Sequence, residues 1–201
     1  MRPASILILI AACGFALPAT AGPAEDQYTV AAGQYKRQRW QLAIDEFALF
    51  LKDYPGHAKA AEARFFTGEA LMQLGKVAQA REHFDAFAAA APDHKYAPQA
   101  LFRRGECAYL TGDYEPARAL LKQFHKDHVG SSLNQYALPY LGDLALMQGD
   151  GPAAQAHYTE ALREHGETAL ADQCRYGLAR SLQSQRRFDD AGGFYQSIID
   201  K

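Results

Sequence analysis

The chain has 201 residues, with 21 Lys plus Arg against 23 Asp plus Glu and a formal net charge of −2. A content of 48% hydrophobic and 22% charged residues excludes a disordered chain, and the near-neutral balance speaks against nucleic acid or anionic lipid as a partner. The length suits one domain or a short repeat array.

Met1-Arg2 opens a short basic region, Ser5 to Leu17 is mostly apolar, and Pro18 breaks the run. Ala19-Thr20-Ala21 then gives a small-x-small cleavage pattern before Gly22. That order predicts a secretory signal peptide over residues 1–21. The run is too short for a transmembrane span, and no later stretch is long enough. A second processing route stays open: Ile10-Ala11-Ala12-Cys13 resembles a lipobox, which would make Cys13 a lipid-anchored amino terminus. Both routes export the protein, to the periplasm in the first reading, with an outer-membrane-anchored lipoprotein or a secreted protein as alternatives.

From residue 22 onwards the dominant signal is an internal repeat. Ala43, Ala80, Ala117, Ala154 and Ala191 recur every 37 residues. Four positions after each stand Phe47, Phe84, Leu121, Tyr158 and Tyr195, and seven after stand Phe50, Phe87, Phe124, Ala161 and Ile198. Offsets of zero, four and seven mark one helical face. Twelve before each alanine a small residue recurs (Ala31, Gly68, Gly105, Gly142, Ala179), where two helices must approach closely. Five before stand Gln38, Gly75, Gly112, Gly149 and Arg186, mostly the glycine that ends a helix in the left-handed conformation. Pro55 and Pro92 close the first two units.

Each unit therefore reads as helix, tight turn, helix and loop. The prediction is ten helices, at about 25–37, 40–53, 58–74, 77–90, 95–111, 114–127, 132–148, 151–164, 168–185 and 188–200, and no sheet. The fold class is all-α, a right-handed α-solenoid of about five repeats (24–57, 58–94, 95–131, 132–167 and 168–201) within an array spanning 22–201. Cys107 and Cys174 fall nearly two repeats apart, roughly 15–20 Å at ~10 Å per helix layer. A disulfide needs Cα atoms within about 7 Å, so two buried free thiols are expected.

The columns resemble tetratricopeptide repeats, carried by the FTGEALMQLG and LFRRGECAYLTG segments, the second-helix alanine, the aromatic four later and the closing proline. Units of 37 residues with Pro-x-His loops before an alanine-rich helix (YPGHAKAAEARFFTGEA, APDHKYAPQALFRRGE) are similar to a bacterial envelope subgroup, the Tol-Pal-associated YbgF-like and BamD-like proteins. Pro139 inside a first helix, Gly151 for a bulky residue and Arg186 for a turn glycine depart from the pattern.

The resemblance implies a non-catalytic scaffold that binds a protein or peptide partner of the cell envelope in a concave groove lined by first helices. Carried over by column, the groove residues are Tyr28, Tyr35, Phe65, Glu69, Met72, Phe102, Glu106, Tyr109, Asp143, Leu146, Tyr176 and Arg180. They promise an aromatic floor and an acidic strip that would select a basic segment. Alternatively the aromatics simply pack between helices and the acids are solvated. His125 and His128 lie one turn apart, as zinc ligands can, yet His57 and His94, like His83 and His157, share repeat columns, so no metal, cofactor or catalytic site is expected. Two other readings stand beside the adaptor: a self-assembling structural module, and the repeat domain of a larger envelope protein or enzyme.

Overall fold

The computed structural model describes residues 22–166 and 169–200; the expected signal peptide and Cys13 lie outside them. Ten helices follow in order: α1 Pro23–Lys36, α2 Trp40–Asp53, α3 Ala60–Gln73, α4 Val77–Ala90, α5 Ala97–Leu110, α6 Tyr114–Asp127, α7 Asn134–Met147, α8 Gly151–His165, α9 Ala171–Ser184 and α10 Phe188–Ile199. The described residues contain no strand. Each helix packs on the next, forming an α-solenoid of five helix pairs.

The turn inside each pair is one hydrogen-bonded device used five times. At the first glycine turn the amide of Gly75 donates to the Met72 carbonyl (3.0 Å) and that of Lys76 to the Leu71 carbonyl (2.9 Å). This reciprocal pattern satisfies carbonyls that the helix end would leave open. Gly112 and Gly149 repeat it, with φ of 80° and 76°. Gln38 and Arg186 adopt the same left-handed conformation without being glycine, at φ 57° and 61°.

Close packing explains the small column. A Cβ on Gly68 would come within 2.8 Å of the Phe84 ring, one on Gly105 within 2.8 Å of Leu121 Cγ, and one on Gly142 within 2.6 Å of the Tyr158 ring. In these three repeats, the large residue four after the alanine lies across the small residue of the preceding helix. Gly151 departs from its bulky column because Ser184 and Gln185, at the end of α9, lie against it. Pro139 is buried within α7, which continues past it.

α3, α5 and α7 begin about two residues later than the sequence predicts. The His57 imidazole Nδ1 accepts the Lys59 amide (3.2 Å), and His94 Nδ1 accepts that of Tyr96 (3.2 Å). Ser131 Oγ does the same for Leu133 (3.3 Å). These side chains fix a tight turn where helix was expected. In α1 the shift runs the other way, because Pro23 suits the first helical turn.

First helices of successive repeats touch (α1 with α3, α5 with α7, α7 with α9), and no pair of second helices among the described residues does so to the same extent. The first helices therefore lie on the inner, concave side. Cys107 and Cys174 are both buried and not bonded to each other. Cys107 Sγ sits 3.4 Å from Met72 Sδ.

Candidate functional site

Positions spaced i, i+4, i+7 and i+11 on each first helix share one face. On α3 these are Glu62, Phe66, Glu69 and Gln73; on α5, Gln99, Arg103, Glu106 and Leu110; on α7, Tyr136, Tyr140, Asp143 and Met147. The face of α1 carries Glu25, Thr29, Ala32 and Lys36.

The acids on this face are tied internally. Arg103 makes a two-pronged bond to Glu69 of the preceding first helix, Nε to Oε1 at 2.7 Å and Nη2 to Oε2 at 3.0 Å. Its Nη1 reaches Glu106 at 2.6 Å. Glu106 in turn accepts the hydroxyl of Tyr140 on the following first helix, at 3.3 Å. A rung thus joins the acid of one repeat to a donor 34 residues on, in the next: Glu69 to Arg103, Glu106 to Tyr140. Burial by itself would make Arg103 give up its proton more easily; the two carboxylates more than reverse that.

The ladder changes at both ends. One step later the pair would be Asp143 and Gly177, and glycine has no donor. Instead the Tyr158 ring from α8 lies between Gly142 and Gly177, and its hydroxyl donates to Asp143 at 2.7 Å. Tyr109 adds a weaker bond to the same carboxylate at 3.3 Å. Burial, and then Asp143, push the Tyr109 phenol up to about 12. One step earlier the pair is Ala32 and Phe66, with no polar tie. An apolar socket of about 280 Å³ opens there, lined by Tyr28, Ala32, Tyr35, Lys36, Glu62, Phe66 and Tyr96.

Around the socket Tyr35 packs on Trp40 (5.3 Å between ring centres) and Phe66 (5.0 Å), while Tyr96 stacks on Phe65 at 4.6 Å. Glu62 accepts the Tyr28 hydroxyl at 2.9 Å and Lys59 Nζ at 3.1 Å. Lys95 Nζ and His94 Nε2 lie at 3.4 and 3.5 Å from its other oxygen. Burial opposes ionisation of Glu62, but the Lys59 and Tyr28 hydrogen bonds outweigh it and hold the carboxyl below its ordinary value.

The structure corrects part of the expected groove. Phe65 and Phe102 are each only 1% exposed; they sit beneath the surface, because their column points between helices. Glu69 and Glu106 are buried, and with Asp143 they tie helices together, so they form no free acidic strip. Met72, Tyr109 and Leu146 are half-buried, as are Tyr28 and Tyr35. Tyr176 and Arg180 are exposed, the guanidinium 5.9 Å from the ring centre.

The sequence reading missed Phe66, Tyr96, Arg103, Tyr140 and the exposed Leu110 (50%), Met147 (57%) and Tyr136 (41%). Phe66, Arg103, Tyr140, Leu110 and Met147 lie one residue beside the columns chosen, Tyr136 lies one turn before them in α7, and Tyr96 sits at the N-cap of α5.

The two histidines at zinc-like spacing have other partners. His125 faces Asn134 Oδ1 (3.2 Å) and Glu160 (3.5 Å), and His128 packs on Phe124. Among the described residues no three His, Cys, Asp or Glu side chains gather as a metal set, and no helix is long and apolar enough to cross a membrane.

Solved structures with the same fold include MamA 41-end from Desulfovibrio magneticus RS-1, at TM-score 0.74 and 15% identity, covering 90% of this chain and 96% of that one. MamA AMB-1 superposes at TM-score 0.71 and 17% identity, covering 88% of this chain and 90% of that one. No curated protein sequence matches the chain. The family profile described as tetratricopeptide repeat-like domain matches residues 18–191. The repeat columns, the helix pairs and this match together establish that the chain belongs to the tetratricopeptide repeat-like family.

Proposed function

We propose that this protein is a non-catalytic adaptor of the bacterial cell envelope that binds a segment of another protein along its concave first-helix face. One observation carries the reading: this face exposes Leu110, Tyr136 and Met147 beside acids that Arg103 and Tyr140 already hold. Exposed apolar groups on a rigid, preorganised surface are what protein interfaces use. The envelope location rests on the secretory pattern of residues 1–21 and on the likeness of the 37-residue units to the YbgF-like and BamD-like subgroup.

Site-specific photocrosslinking in the native envelope tests the proposal. A photoreactive side chain at Met147, on the concave side, is expected to give a discrete protein adduct, whereas one at the exposed Ala119 of α6 gives none. Adducts of equal yield from both positions would count against the concave face as the working surface.

A further inference from the structure

We infer that the socket at Ala32 and Phe66 receives a bulky apolar side chain from an acidic protein segment. This rests on the adaptor reading and gives its partner a chemistry.

The socket is apolar because the ladder lacks a rung there. Glu69–Arg103 and Glu106–Tyr140 close the corresponding gap in the next two repeats, and Ala32–Phe66 leaves it open. Its volume of about 280 Å³ lies below the range of sites that swallow whole small molecules. It suits one anchoring side chain of a longer segment, held against tyrosine and phenylalanine edges.

Charge around the socket selects the rest. Glu62, the one carboxylate lining it, is sunk beneath the surface with a side chain 11% exposed, while the Lys95 side chain above it is 63% exposed. Lys59 and Lys95 both lean on this single carboxylate, and each also lies over a ring, Lys59 over Tyr28 at 5.6 Å and Lys95 over Tyr96 at 4.8 Å. Lys36 at the socket wall pairs with no acid among the described residues. An approaching chain therefore meets ammonium groups, with the acid below them already shared. That arrangement favours flanking carboxylates and disfavours flanking lysines, the reverse of the basic partner that the acids suggest in the sequence.

The test uses the full chain and fluorescent synthetic peptides with a central Phe, flanked by Asp and Glu, by Gln, or by Lys, and an acidic control with Ser for Phe. The acidic Phe peptide is expected to bind about tenfold or more tighter than the Lys-flanked one. It should weaken as salt rises and exceed the Ser control. Ala32→Leu, a good helix former that fills the socket, should abolish binding with the helical circular dichroism unchanged. Lys36→Glu/Lys95→Glu should remove the preference for acid.

Tight binding of Lys-flanked peptides that Ala32→Leu still blocks would overturn the acidic partner and leave the adaptor reading standing. Peptide binding indifferent to Ala32→Leu would overturn the socket. If no peptide binds while Met147 still crosslinks in the envelope, the inference fails and the adaptor reading survives.

Discussion

At the residue scale, two kinds of position behave differently from their neighbours in the repeat. Gln38 and Arg186 hold φ of 57° and 61° where three repeats use glycine. A side chain there carries about 1–2 kcal/mol of steric cost, partly offset because glycine gains more freedom when unfolded. Arg186→Gly should therefore raise stability by up to about 1 kcal/mol in urea unfolding; a lower midpoint would contradict the assignment. Helix glycines split in the opposite sense. A Cβ at Gly177 would overlap the Tyr158 ring, whereas Gly193 has nothing within 4 Å. Gly193→Ala should stabilise by about 1 kcal/mol from helix propensity, while Gly177→Ala should destabilise by about 1–3 kcal/mol from overpacking. Burial pushes the Cys107 thiol up to about 12, so alkylation mapped by mass spectrometry should modify it only after unfolding. His157 has its pKa lowered to about 4, first by burial and then by His125. Its unfolded form binds more protons between about pH 4 and 6.5, so this stability is complete above about 6.5 and lost on acidification through that window. His157→Gln should flatten the midpoint-versus-pH curve there, and an unchanged curve would assign the acid sensitivity to other groups.

At the scale of elements, the rungs between first helices set the geometry of the inner face. Arg103→Ala would leave Glu69 and Glu106 buried without their cation, and removing one partner of such a pair costs about 3–5 kcal/mol. The expected result is a large drop in the unfolding midpoint, with amide exchange accelerated in α3, α5 and α7; a loss confined to α5 would contradict the ladder. The existence and the ends of these helices were legible in the sequence because Ala43 and its successors, and the glycine turns, repeat at constant spacing; their starts were not, because His57, His94 and Ser131 fix the preceding turns through side-chain bonds. The partners of the acids were not. Glu69, Glu106 and Asp143 form a visible column, but whether a column of carboxylates faces solvent depends on what the next repeat places 34 residues later, and that donor changes from Arg103 to Tyr140 to none. Tyr158 reads as a plain core aromatic, and its bond to Asp143 follows only because Gly177 clears space for the ring.

At the scale of the molecule, five helix pairs share four contiguous apolar clusters, each formed largely by helices of neighbouring repeats. Such an array resists local change through its interfaces, and its inner face keeps one shape on which a partner can be matched. This face is closed by polar rungs in the middle and open at Ala32 and Phe66 for a partner's side chain. The most direct test installs the missing rung. Ala32→Glu/Phe66→Tyr copies the Glu106–Tyr140 pair in its own column, and Trp40, the sole tryptophan, reports on the socket through its contact with Tyr35 at 5.3 Å. Titrating the acidic Phe peptide into the unaltered protein should shift Trp40 fluorescence to saturation, and the double substitution should remove that response while leaving the helical signal intact. A folded double variant that still shows the full Trp40 response would mean that the peptide does not enter this socket.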